Sequence, residues 1–285
     1  MRNYPTLDEK REEELAAVVR EVTGEAQRFH ADGPQMATWV LGEMWALGPT
    51  KEHTTASASF LAAMAMATDA LRGARRSLYA CDFGGVWVQI RRSQEMVTLA
   101  IALSMDPAVA DGWLAGKEVS HSALRKGIEK THPKVSADFR STFAFLSDEA
   151  HGRAQALSAY EDEAERFSWP VEASDVNRRH VWSAHLTFCA YTLTLLGVLK
   201  WMGRGSWDFL GSEIREAVEA YYEALSEYMT RMKDAGPWRM LAPGEVRDWL
   251  MEAYGASWEE RALRELDSPD ARSDAKSDSH ADRRQ

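Results

Sequence analysis

The chain has 285 residues, 45% of them hydrophobic and 27% charged, with 34 basic and 44 acidic side chains for a net charge of −10. This is enough apolar material for a sizeable core without metals or disulfides, and it excludes a wholesale nucleic-acid coat while leaving room for a local basic patch. Forty-two Ala and 24 Leu against 4 Ile favour helices over a large sheet, so an all-α protein is expected.

Thr6 to Glu9 reads as a capping box opening a charged helix to about residue 30, with Leu15, Val18, Val19 and Val22 on its apolar face. Gly33-Pro34 is read as the start of a second helix, which Gly48-Pro49 ends. Residues 54–80 carry Phe60, Leu61, Met64, Ala67, Leu71, Ala74 and Leu78 at helical spacing. A break at Asp82 to Gly85 precedes a helix from about Val86 to Met105. Asp106 then caps a short helix with Pro107 at its first position, stopping near Gly116. Ser120 caps the next helix, and His132-Pro133 closes it. Residues 134–166 read as helical with an interruption near Gly152, followed by a loop at Ser168 to Pro170. A helix over 174–202 and another from Asp208 to about Lys233 complete the main body. Two short helices follow, and from Asp267 the chain is too polar to bury itself and is expected to be disordered.

The expected organisation is a multi-helix bundle over 53–234, an N-terminal helical arm over 1–52, a C-terminal helical appendage over 235–266 and a tail over 267–285. Val181 to Leu199 is 19 residues without a formal charge, at the threshold length for a membrane span. His185, Ser183, Thr187, Thr192 and Thr194 within it suit a core helix better, so no membrane association is expected. Cys81 and Cys189 are far apart and form no CxxC, and the N-terminal stretch has no apolar run of a secretory signal, so the expected location is the cytoplasm.

Several motifs are coincidental by their context. Asp148-Glu-Ala-His151 spells a helicase box, but the chain has no GxxxxGK[ST] phosphate loop to go with it. Glu118…His121 and Glu129…His132 are ExxH pairs read onto one helix, roughly 16 Å apart along its axis, too far for one metal pair. His180 and His185 are about 140° apart on a helix wheel and do not converge as paired ligands would. A lone His185 on an apolar helix reads as a hydrogen-bonded core residue. The 11 Trp have few basic neighbours and read as packing rather than as a base-stacking platform. No metal and no cofactor is expected.

One group of residues carries a candidate site. Arg91 and Glu95 are i,i+4 inside an otherwise apolar helix and can pair on one face. A buried Arg needs several acceptors, and His151 on a later helix is a candidate third member. A second candidate set is Arg178 or Arg179 with His185, because metal-independent RNA cleavage needs a base for the 2′-OH and a cation for the developing charge. Arg125…His132 has the same arrangement.

The stretch from about Leu71 to Leu157, a third of the chain, holds Arg91-x-x-x-Glu95, then Asp106-Pro-x-x-Ala-x-x-Trp113-Leu114, then Leu146-Ser-x-x-x-His151. In that order it resembles an uncharacterised bacterial family of helical proteins, HEPN-like in outline. The residues between Arg91 and Glu95 are polar where that family is usually apolar. The resemblance implies an all-helical protein that binds a ligand or partner through an Arg/Glu/His cluster. It also implies an alternative, a HEPN-like ribonuclease of a toxin or phage-defence system. A third reading is a structural bundle that docks a protein partner through the helix of residues 7–30. Protein or RNA partners and self-association are compatible with all three, and the sequence leaves open whether the chain is an enzyme.

Overall fold

The computed structural model describes residues 7–47, 55–131, 173–203 and 207–235, except for a few side chains at helix ends. Over those residues it is a bundle of α-helices without a strand. Helix α1 is Leu7–Thr23, and a 3-10 turn, Gly24–Gln27, links it to α2, Arg28–Ala46. Helices α3, Thr55–Tyr79, and α4, Phe83–Met105, form the most extensive pair. The short α5, Pro107–Leu114, and α6, His121–Thr131, follow. Helix α7 is Arg178–Met202 and α8 is Ser212–Ala235.

The helix ends follow local chemistry. α3 closes in a Schellman turn, with the Asp82 amide donating to the Ser77 carbonyl and the Cys81 amide to Leu78. Cys81 takes the left-handed position there, at φ 52°, where glycine is usual. Asp82 then caps α4 by accepting from the Gly85 amide at 2.9 Å. Asp106 accepts from the Ala108 amide at 2.9 Å, and Pro107 fills the first helical position where no amide is needed. Ser120 caps α6 through the Ala123 amide, and Asn177 caps α7 through the Arg179 amide.

Helix α7 is the hub: it packs against α1, α2, α3, α4 and α8. That position explains its long uncharged run, since neighbours on all sides leave few positions facing water. It is the one described helix long and apolar enough to cross a membrane, and 67% of its most apolar window is buried by the rest of the fold.

Two expectations are corrected. Gly33-Pro34 does not start α2; both lie inside it, and the apolar stripe Phe29, Ala37, Val40, Met44 runs across them. Pro34 lacks the amide that would reach the His30 carbonyl, and the neighbouring Phe29 carbonyl accepts from the Tyr221 hydroxyl at 2.9 Å. Gly33 is needed for the crossing with α7 and α8. A Cβ there would run into Thr192 Cγ2 and stand 2.6 Å from the Tyr221 hydroxyl.

The second correction concerns the N-terminal arm. Residues 7–46 are part of the bundle: Leu15, Val18 and Val19 pack with Leu78, Ile90 and Phe188, and Met44 packs in the core with Met64, Ile101 and Leu199. The apolar face of α1 is therefore used within the chain and is not left over as a docking helix. The expected interrupted helix over 134–166, the C-terminal appendage and the tail lie outside the described residues.

Candidate functional site

The polar centre of the bundle is a line of four side chains from four helices. Tyr79 ends α3, His30 lies near the start of α2, His185 faces inward from α7, and Tyr228 comes from α8. The Tyr79 hydroxyl is 3.1 Å from His30 Nδ1. His30 Nε2 is 2.5 Å from His185 Nδ1, and His185 Nε2 is 2.7 Å from the Tyr228 hydroxyl. Both imidazoles are 0% exposed. Phe188 lies edge-on to His30, and Trp182 packs beside His185.

Burial decides the protonation state. Desolvation, with smaller contributions from His185 and Arg75, holds His30 well below the ordinary histidine range. Desolvation lowers His185 to about 3. Both rings are therefore neutral at pH 7, each with one N–H. Two arrangements satisfy all three contacts. In one, Tyr79 donates to His30, His30 to His185 and His185 to Tyr228. In the other, every donor and acceptor is reversed. Either way the terminal tyrosine hydroxyl has one proton left to donate outward.

Cys189 is one turn beyond His185, with Sγ 3.7 Å from His185 Nδ1. Burial pushes its thiol up, so it is protonated in this environment. The donor atoms of His30, His185 and Cys189 all lie within 4.8 Å of one another.

Tyr228 also contributes to the wall of an outer cleft. This cleft of about 350 Å³ lies between the α1–α2 turn and the end of α8. Phe29, Trp182 and Tyr228, all buried, back the cleft with aromatic rings, while the exposed Arg28 and Arg231 supply positive charge. Phe29 and Tyr228 pack at 5.3 Å between centroids. Two carboxylates also line the cleft: Glu21, 3.5 Å from Arg178, and Glu25. One aromatic layer thus separates this cleft from the buried histidines.

The residues singled out from sequence fall elsewhere. Arg91 Nε and Glu95 Oε1 pair at 3.1 Å, with side chains 20% and 31% exposed, so the pair is only partly buried. His151 lies outside the described residues, as does His132. Arg178 turns to Glu21, Arg179 is exposed, and His185 turns into the core, so α7 gives these side chains to different surroundings. Glu118 precedes α6, so the two ExxH pairs do not share one helix.

His185 does occupy the hydrogen-bonded core position its apolar helix suggested. Sequence reasoning missed His30, Cys189, Tyr79 and Tyr228. The available signal was His185-x-x-x-Cys189, an i,i+4 pair on one helix face, together with the stripe that carries Phe29 and His30 into the core. No family model, curated protein or solved structure matches the chain.

Proposed function

We propose that this chain is a cytoplasmic ligand-binding bundle, and that its ligand is a small molecule with a planar apolar body and an anionic group. The observation that carries this reading is Tyr228, which lines the outer cleft and hydrogen-bonds the buried His185 at 2.7 Å. The aromatic side chains suit a planar body, and Arg28 and Arg231 suit an anion; of the two cleft carboxylates, Glu21 is engaged by Arg178 and Glu25 is exposed to water, where its charge is screened. The cleft volume falls in the range of small-molecule sites. Tyr228 would register the ligand by turning its hydroxyl proton outward, which selects one of the two polarities of the histidine line.

This reading keeps ligand binding as the proposed role and assigns it to the Arg28, Tyr228 and Arg231 cleft in place of Arg91, Glu95 and His151. The ribonuclease alternative draws no support from His185, which is enclosed and bonded to His30 and Tyr228. The test is a fluorescence titration with 1-anilinonaphthalene-8-sulfonate, an anion on a flat naphthalene body. Saturable binding that the Arg28→Gln/Arg231→Gln double variant loses at least tenfold is expected. Equal affinity in wild type and double variant would sink the reading.

A further inference from the structure

We propose that His30, His185 and Cys189 form a binding site for one borderline transition-metal ion of the Zn(II) or Co(II) type. The proposal rests on different observations from the cleft and does not require its ligand. It starts from placement. His185 and Cys189 are i,i+4 on α7, so both project from one face one turn apart, the spacing by which a single helix chelates an ion. His30 arrives from α2, which crosses α7 closely because Gly33 has no side chain. Two helices thus supply three donors, all fully buried.

The distances are near those a tetrahedral ion needs. Bonds of about 2.0–2.1 Å to nitrogen and about 2.3 Å to sulfur place donor atoms roughly 3.3–3.6 Å apart. Cys189 Sγ and His185 Nδ1 are already 3.7 Å apart. His30 Nε2 and His185 Nδ1, at 2.5 Å, must open by about 0.8 Å, which small rotations of two rings provide. The ion then replaces the N–H···N bond between them.

The surroundings of the rings fit metal ligation as well. The far nitrogen of each histidine meets a tyrosine hydroxyl, His30 Nδ1 at Tyr79 and His185 Nε2 at Tyr228. With the facing nitrogens on the ion, both far nitrogens carry hydrogen and donate to those hydroxyls. Outer partners that fix tautomer and ring orientation are the usual companions of ligating histidines. The proton count closes: both imidazoles stay neutral, the Cys189 thiol becomes a thiolate, and its one proton passes to solvent for each ion bound.

The donor set selects the ion. Two imidazoles and a thiolate favour Zn(II), Co(II) or copper over Mg(II) and Ca(II), which take oxygen ligands. Three protein ligands leave the fourth tetrahedral position without a protein donor, unlike a closed four-cysteine structural site.

The test uses the tag-free full chain, reduced and stripped with chelator, titrated with Co(II). We expect ligand-field bands of four-coordinate Co(II) in the visible and a thiolate charge-transfer band in the near ultraviolet, saturating at one equivalent and displaced by Zn(II). Cys189→Ser changes one atom and should abolish the charge-transfer band and weaken binding at least tenfold. His30→Asn should weaken it similarly, and Cys81→Ser should leave both bands intact. Absence of a stoichiometric spectrum in wild type, or an unchanged spectrum in Cys189→Ser, overturns the site. Should His30→Asn fail to fold by circular dichroism, the Cys189→Ser and Cys81→Ser comparison decides alone.

Discussion

His30 Nε2 and His185 Nδ1 meet at 2.5 Å in the centre of the bundle although 155 residues separate them in the chain. Each is the other's partner in a region with no water access, so neither can be removed neutrally. Alanine at one position orphans a buried nitrogen on the other, costing about 1–3 kcal/mol, and leaves a cavity in addition. The double variant removes both groups and should cost less than the sum of the singles by about 1–3 kcal/mol. Urea unfolding of the metal-free protein at pH 7.5 measures this cycle. Additive costs would mean the two rings do not interact.

The Arg91–Glu95 pair is expected to matter less than its apolar sequence neighbours suggest. Side chains 20% and 31% exposed keep part of their hydration, so the pair does not combine full desolvation with full Coulomb gain. Glu95→Ala should cost no more than about 1 kcal/mol, and Glu95→Gln less. A loss of several kcal/mol in the same urea assay would place the pair in a buried clasp after all.

The all-helical fold was legible because its signals are local. Asp82, Asp106-Pro107 and Ser120 each announce a helix start by side-chain chemistry that the structure realises at the same residues. Pro34 misled because a proline usually marks a first turn. Here a close crossing at Gly33 and the Tyr221 bond to the Phe29 carbonyl hold the helix together across it. The site was less legible for a different reason. His30 sits in a polar-looking stretch, Arg28 to Asp32, and it packs against Tyr79 of α3 and His185 and Phe188 of α7, which no local pattern reports. Charge drew attention to Arg91 and Glu95, whereas the buried centre is built from neutral groups.

Gly33 gives a direct test of the α2 crossing. In an ordinary helix interior Gly→Ala stabilises by about 1 kcal/mol. At this position the new methyl meets Thr192 Cγ2 and the Tyr221 hydroxyl, so backbone or side chains must move. Gly33→Ala should therefore destabilise by about 1–3 kcal/mol. Thr192→Ser removes the obstructing methyl and should recover part of that loss in the double variant. Stabilisation by Gly33→Ala alone would show that α2 and α7 stand further apart.

The burial of α7 makes a prediction about fractionation. Its apolar window is covered by five neighbouring helices, and His185 and Thr192 within it are satisfied inside the fold. The protein should remain in the supernatant after detergent-free lysis and high-speed centrifugation. Recovery only in a membrane pellet that detergent releases would contradict the packing of α7 as a core helix.

His180 predicts an acid-sensitive entry to α7. It lies in the first turn of that helix with its ring 5.9 Å from Phe83, and burial, followed by the charge of Arg179, lowers its pKa to about 4. In the unfolded chain the value is about 6.5. Above pH 6.5 both states are neutral at this residue and the folded state keeps its full stability. As the pH falls below 6.5 the unfolded state takes up a proton that the folded state refuses, so stability is lost, and the loss levels off below about pH 4. At pH 5 the contribution is about 1–2 kcal/mol relative to pH 7.5. His180→Asn removes a titrating group without adding one. Its urea midpoint should therefore fall less than that of wild type between pH 7.5 and pH 5, at unchanged slope. Parallel declines of the two proteins would show that His180 takes up its proton equally in both states, and that the start of α7 is open to water rather than packed on Phe83.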